Sequence, residues 1–162
     1  MGRKVAVIKY IHGWLATGTR NFYTRRQPDQ RCELCGFTDN REHLFFCANA
    51  HLAQMRELRI TKLLTDLGKN TDSGFHQVFT AGVKAALKLE DLSQSTIEDW
   101  PGYLQRAYAT QELIGWNQVL YGRIGVHWEE IAHTSVDQCK TVDTFSWTSK
   151  AIRLLWDFGL AV

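Results

Sequence analysis

Proline is scarce in this chain, at only two of 162 residues. Because proline interrupts helices, this scarcity leaves room for long helical segments. Leu, Ala, Gln, Lys and Glu are abundant and favour helix. We therefore predict a mostly α fold.

Long apolar runs are also missing. A membrane-spanning helix needs about 20 predominantly apolar residues, and the sequence has no such stretch. The start, Met-Gly-Arg-Lys, is followed by neither an apolar secretory core nor a small-residue cleavage site. We expect no membrane partner and an intracellular location, in the nucleus or the cytoplasm.

Motifs of common enzymes are absent as well. There is no P-loop, no nucleophile elbow and no His-Glu-x-x-His sequence. Glu129 and Glu130 are adjacent carboxylates, but neighbouring helical positions point about 100° apart and do not suit paired acid–base work. We predict that the chain is not an enzyme and has no small-molecule substrate.

Cysteine is rare, yet three of the four cysteines lie close together. Cys32 and Cys35 can present two sulfurs from one tight turn, and Gly36 suits the left-handed backbone of such a turn. His43 and Cys47 follow shortly after. These four residues are predicted to bind one structural Zn²⁺ in a closed shell with no water position.

The second ligand pair has helical spacing. His43 and Cys47 are four residues apart, so on a helix their side chains share one face. Asp39 and Glu42 form a capping-box pattern that would begin this helix near Arg41, and we predict that it continues to Leu67.

Other uses of these cysteines fit less well, and one ligand has a rival. A redox C-x-x-C motif would need a preceding strand, whereas residues 20–31 are polar and basic. Disulfides would need an exported chain. His51 lies four residues beyond Cys47 on the same predicted face, so it remains an alternative to His43 or Cys47.

Positive charge is concentrated at one end of the chain. Residues 1–31 carry seven Lys/Arg and one acidic residue, a net charge of +6, whereas residues 32–162 carry −4. A basic segment with interspersed aromatic residues can contact nucleic acid, although it can equally be a solvated loop. The candidate nucleic-acid-binding residues are Lys9, Arg20, Arg25, Arg26 and Arg31.

Apolar periodicity divides the chain into helices. A first helix is predicted to bury Val5 and Ile8 and to end near Gly18, with a loop over residues 20–31. A second apolar repeat covers residues 75–87.

The later part of the chain continues this pattern. A long helix is predicted from Pro101 toward Ile131, with breaks expected at glycines such as Gly115. A last helix is capped by Thr144 or Ser146. Tryptophans in or beside these patterns are predicted to pack in the core: Trp100, Trp116, Trp128, Trp147 and Trp156.

The predicted fold is a helical domain with a small CCHC zinc-knuckle-like subdomain near the N-terminus. A basic helix and the zinc-binding subdomain are assigned to residues 1–51, and the helical domain to residues 52–162. The last helix is still running at Val162, which predicts truncation at the C-terminus.

Several stretches carry a family resemblance: Lys9–Leu15, Cys32–Cys47, Ile114–Arg123 and Trp128–Ile131. Together they resemble the zinc-binding region and helical tail downstream of the polymerase in reverse-transcriptase-like proteins of eukaryotic retroelements, of the algal and diatom type. One spacing differs, since three residues precede Cys47 after His43 where family members often have four. His51 therefore stays open as a ligand.

The resemblance implies a non-catalytic accessory domain, with Cys32, Cys35, His43 and Cys47 as zinc ligands. The aromatic-x-Asp-Asp motif of a polymerase and the carboxylate set of an RNase H are missing. The implied partners are RNA or DNA, and an upstream polymerase domain or another protein. The alternative function is a zinc-stabilised helical protein–protein interaction module.

Overall fold

The computed structural model describes residues 2–69, 73–90, 97–136 and 147–161. The structure is 67% helical, and the described residues contain no strand, so the mostly α prediction is confirmed. The helices in chain order are α1 Arg3–Ile11, α2 Gly18–Tyr23, α3 His43–Phe46, α4 Ala50–Leu67, α5 Ser73–Ala86, α6 Gly102–Ile114, α7 Trp116–Val119, α8 Val126–Val136 and α9 Trp147–Ala161.

The chain forms two compact units. Unit 1 comprises Met1–Lys62 and Trp156–Val162, and unit 2 comprises Leu63–Leu155. The boundary between the units lies inside α4, between Lys62 and Leu63, and the predicted division between residues 51 and 52 also falls in this helix. None of the described helices has the length and apolar character that crossing a membrane requires.

Unit 2 is built around an aromatic core. The rings of Phe75 and Phe79 stack at 6.2 Å on α5, one turn apart. Trp128 meets both rings edge-on at 5.3 and 5.1 Å, and Trp147 does so at 4.6 and 4.9 Å. The apolar face predicted for residues 75–87 is therefore confirmed as a core face.

Glycines separate the helices that follow. Gly115, at φ 96°, ends α6 and precedes α7, and Gly122, at φ 80°, lies between α7 and α8. The expected breaks in the long helix are thus confirmed at these two positions. The fully buried Gln111 holds the next connection, since its side-chain amide donates to the carbonyl of Arg123 and accepts from the amide of Gly125.

The five tryptophans predicted to lie in the core differ in their burial. Trp128 is completely buried and Trp116 is 9% exposed, as predicted for core residues. Trp100, Trp147 and Trp156 are half-buried. The helix expected near the end of the chain is α9, whereas its proposed caps, Thr144 and Ser146, lie outside the described residues.

Two local predictions for unit 1 are wrong. The first helix ends at Ile11 instead of near Gly18, and Val5 and Ile8 are about half exposed while Tyr10 is fully buried. Residues 20–31 are not all loop, because Thr17 accepts a hydrogen bond from the Arg20 amide and caps α2. An N-cap threonine supplies the acceptor that a helix start needs.

Candidate metal centre

A tight turn presents the first two cysteines. The Gly36 amide donates to the Cys32 carbonyl at 2.8 Å, and the Cys32 amide donates to the Phe37 carbonyl at 2.8 Å. Gly36 has φ 76°, the left-handed conformation predicted for it. An antiparallel bridge between Arg31 and Thr38 closes the base of this turn.

The second pair of candidate ligands flanks a shorter helix than predicted. α3 begins at His43 and ends at Phe46, and Cys47 leaves the helical conformation with φ −55° and ψ 128°. The prediction of one helix continuing to Leu67 is wrong, because the chain breaks here and restarts as α4 at Ala50.

The predicted capping box is also wrong. The Asn40 side-chain carbonyl accepts hydrogen bonds from the amides of Glu42 and His43, at 3.0 and 2.9 Å. The Asp39 carboxylate instead accepts from the Gly18 amide at the start of α2. Asp39 therefore joins two distant segments, and its neighbour Asn40 starts the helix.

Four side chains converge between the turn and α3. One donor atom from each of Cys32, Cys35, His43 and Cys47 lies within 4.8 Å of the others. The Cys32 and Cys47 sulfurs are 4.0 Å apart, and the Cys35 sulfur is 3.3 Å from His43 Nε2. A tetrahedral ion with sulfur ligands at about 2.3 Å would place the sulfurs about 3.8 Å from each other. The four residues can therefore hold one metal ion.

His51 does not join this cluster. It is exposed on α4 and lines a concavity with Met55 and Arg59. The four donors that the structure brings together are those given by the sequence spacing, with His43 and Cys47 both present.

Burial controls the protonation of Cys47. The residue is 4% exposed, and this burial, together with the Cys35 and Cys32 thiols, raises its pKa to about 11. A backbone hydrogen bond from Asn49 acts in the opposite direction. Without a metal, the Cys47 thiol therefore holds its proton at neutral pH, and a metal ion would have to displace it.

The pKa of Cys35 is shifted in the opposite direction from that of Cys47. Burial raises its pKa, but backbone hydrogen bonds from Phe37 and Ala48, with contributions from the other thiols, lower it below the ordinary value. Hydrogen bonds to sulfur favour the thiolate. These amides are thus already positioned to stabilise a sulfur ligand.

Phe45 anchors the metal centre in unit 1. Lying between His43 and Cys47 in sequence, it is 2% exposed and packs edge-on against Tyr10 at 6.5 Å and parallel to Phe158 at 6.0 Å. The sequence around the metal donors does not indicate this role, because the packing partners of Phe45 come from distant parts of the chain.

Two arginines join the metal centre to neighbouring helices. The Arg41 guanidinium donates to the Ile11 carbonyl at the end of α1 at 2.7 Å. Arg56 on α4 donates to the Cys47 carbonyl at 3.2 Å. These hydrogen bonds give both arginines a structural role that the sequence pattern does not indicate.

The candidate nucleic-acid-binding residues are placed unevenly. Arg20, Arg25 and Arg26 are exposed on α2 and the turn that follows it, Arg31 is exposed at the antiparallel bridge, and Lys9 is half-buried in α1. Within the described ranges, none of these five side chains forms an ion pair.

Two of these arginines border a concave surface. Arg25 and Arg26 line a shallow concavity of about 540 Å³ together with Phe22, Tyr23 and the residues that follow the turn. Lys9, Arg20 and Arg31 are not part of its lining. The structure therefore brings together cations and aromatic rings at the end of α2.

Comparison with protein-family models, with curated proteins and with solved structures finds no match to this chain. The resemblance to retroelement proteins therefore stays a prediction from the sequence.

Proposed function

We propose that this chain is a non-catalytic zinc-binding accessory domain that binds RNA or DNA, of the kind found in reverse-transcriptase-like retroelement proteins. The donor set supports zinc, because three sulfurs and one imidazole suit Zn²⁺ and not the oxygen-seeking Mg²⁺ or Ca²⁺. Four protein donors complete a tetrahedral shell. Such a closed shell is typical of structural zinc.

The proposal of nucleic-acid binding rests on the exposed arginines of α2 and the turn that follows it. Arg20, Arg25 and Arg26 have no ion-pair partner among the described residues, so their charge is available to phosphates. The ion itself would not attract phosphate, because Zn²⁺ with three thiolates carries −1. The arginines must therefore supply the attraction.

Hydrogen bonds fix this basic helix to the metal-binding segment. The Asp39 carboxylate accepts from the Gly18 amide, and the Asp39 carbonyl accepts from the Thr19 amide at 2.8 Å. Gly18 has no room for a side chain, since a Cβ there would lie 2.9 Å from the Gln30 carbonyl oxygen. Zinc binding would therefore also order the segment that presents the arginines.

The test is a binding titration of the zinc-loaded full chain with labelled RNA and DNA over a salt series. Replacing Arg25 and Arg26 with Ala should weaken binding uniformly across sequences and reduce the slope of log K against log salt by about two. The charge-matched control is Arg106→Ala with Arg123→Ala, two exposed arginines of unit 2. Equal effects of both double variants would contradict a specific role for the end of α2.

Exposed apolar residues support a second function, a zinc-stabilised protein interaction module. Leu34 and Phe37, on the turn that carries Cys32 and Cys35, are 59% and 64% exposed. Large apolar side chains at such a position can form the centre of a protein interface. This function would be favoured if the folded, zinc-loaded chain bound no nucleic acid even at low salt.

A further inference from the structure

Two aromatic side chains at the end of α2 are exposed to solvent to different extents. Phe22 is 39% exposed and Tyr23 is 73% exposed. Their rings meet edge-on at 5.6 Å, and among the described residues neither ring contacts another aromatic ring. Both side chains are therefore accessible to a ligand, Tyr23 more than Phe22.

The turn after α2 shapes a concavity beside these rings. The Arg26 amide donates back to the Asn21 carbonyl at 2.8 Å, and Arg25 adopts the left-handed conformation with φ 56°. This is the Schellman arrangement that ends many helices. It reverses the chain, so that the residues from Arg25 to Pro28 line the same concavity as the two rings.

A polar group completes this surface. The Gln27 side-chain nitrogen donates to the Arg31 carbonyl at 3.0 Å, which leaves the Gln27 side-chain oxygen as an acceptor. The surface thus combines ring faces, two guanidinium groups and one hydrogen-bond acceptor. A nucleotide offers the matching groups: a planar base, a phosphate and donor groups on the base edge.

We propose that this concavity binds an unpaired base, so that the chain prefers single-stranded over duplex nucleic acid. This inference rests on the proposed function, that the chain binds nucleic acid. Each base has a face that can stack on Tyr23 or Phe22, but in a duplex these faces are covered by neighbouring base pairs. The arginines beside the rings bind the adjoining phosphates.

Charge alone would give the opposite preference. A duplex carries about one negative charge per 1.7 Å of its axis, a higher density than a single strand has. A surface that acted only through Arg25 and Arg26 would therefore bind the duplex at least as well. A higher affinity for the single strand than for the duplex would therefore indicate that bases stack on the rings.

The experiment compares the affinities of the zinc-loaded full chain for one single-stranded DNA and for the duplex of the same sequence, at the same salt concentration. The wild type should bind the single strand more tightly. Tyr23→Leu removes the ring from an exposed position, and it should lower the ratio of single-strand to duplex affinity about ten-fold. Tyr23→Phe keeps the ring and should keep most of that ratio.

The outcomes separate this inference from the proposed function. Binding to both DNA forms with a ratio that Tyr23→Leu does not change would overturn the unpaired-base site and leave nucleic-acid binding in place. Absence of binding to both DNA forms and to the labelled RNA of the salt series would overturn both the unpaired-base site and the proposed function. Phe22→Leu gives an independent check of the ring effect, and circular dichroism verifies that each variant keeps its helices.

Discussion

The protonation of Cys47 links the metal centre to pH. Burial raises the pKa of this thiol to about 11, so it is protonated at neutral pH without a metal. Zinc binds thiolates, and protons therefore compete with the ion. We expect the zinc affinity to fall as pH is lowered, with about two to three protons released per ion near neutral pH, because the lowered pKa of Cys35 favours its thiolate before the ion binds. Calorimetry in buffers of different ionisation enthalpy measures this number.

A control is available in the same chain. Cys139 is the fourth cysteine and is far from Cys47 in sequence, and the other three cysteines with His43 already provide four donors, so Cys139→Ser should leave the proton count unchanged. Cys47→Ser should lower both the count and the affinity. Release of one proton or none by the wild type would mean that fewer than three thiols bind the ion.

Arg25 occupies a backbone conformation that glycine adopts more easily. At φ 56° its Cβ crowds the backbone, at a cost of about 1 kcal/mol. Arg25→Gly should therefore raise the free energy of unfolding by up to about 1 kcal/mol while it weakens nucleic-acid binding. Urea unfolding and the binding titration measure the two effects.

Lys88 provides the matched control for Arg25. It also has φ 56°, after α5 in unit 2. Lys88→Gly should raise stability in the same way but leave nucleic-acid binding as it is. A loss of binding in both variants would mean that Arg25 acts only through net charge.

At the residue scale, the sequence predicted the convergence of the four metal donors but not the residues that orient them. The spacing of the donors involves only nearby residues, so it predicts the cluster even though the length of the helix around His43 was predicted wrongly. Asp39 and Asn40 are both suitable helix caps, and the sequence does not decide between them. The choice depends on the Gly18 amide, which is 21 residues from Asp39 in sequence.

At the scale of helices, the apolar face of α1 was assigned incorrectly. Val5 and Ile8 follow a helical repeat, yet Tyr10 is the residue that is buried. The Tyr10 ring lies against the backbone of Gly159, where a Cβ would overlap it. A repeat within nine residues carries no information about this distant partner.

Gly82 allows a similar close approach in unit 2. A Cβ at this position, inside α5, would overlap the six-membered ring of Trp116. Gly82→Ala should therefore lower the free energy of unfolding by about 1–3 kcal/mol, although alanine is the better helix former. Urea denaturation monitored by tryptophan fluorescence measures the change.

The control for Gly82 is Gly102, the first residue of α6. A Cβ there meets no atom within 4 Å. Gly102→Ala should leave stability unchanged or raise it by less than about 1 kcal/mol. Stabilisation of both variants would show that Trp116 moves away from α5 at little cost.

At the scale of the whole molecule, composition and helical periodicity predicted the mostly α fold, while the division into units was not predictable. The segment Trp156–Val162 belongs to unit 1 although it follows unit 2 in sequence. Phe158 shows why, since its ring stacks on Phe45 beside the metal centre. Local sequence patterns, such as apolar periodicity, do not indicate that a late segment packs against an early one.

Removal of the metal should therefore affect the two units differently. Unit 1 has a small core that contains Phe45, which lies in sequence between His43 and Cys47 of the candidate metal cluster, whereas unit 2 has its own aromatic core around Phe75 and Trp128. A structural zinc can contribute on the order of 10 kcal/mol to a local fold. We expect a chelator to remove amide-exchange protection from residues 18–50 while α5 and α6 stay protected. Hydrogen exchange followed by mass spectrometry measures this directly.

Substitution of the two histidines tests the ligand assignment behind this prediction. His43→Ala should lower zinc affinity and reproduce the effect of the chelator in unit 1, because it removes one of the four clustered donors. His51→Ala should leave zinc binding and exchange unchanged, because His51 is exposed on α4. Loss of zinc binding in His51→Ala but not in His43→Ala would make His51 the fourth ligand. In the chelation experiment, loss of protection in both units would show that the fold of unit 2 also depends on the metal.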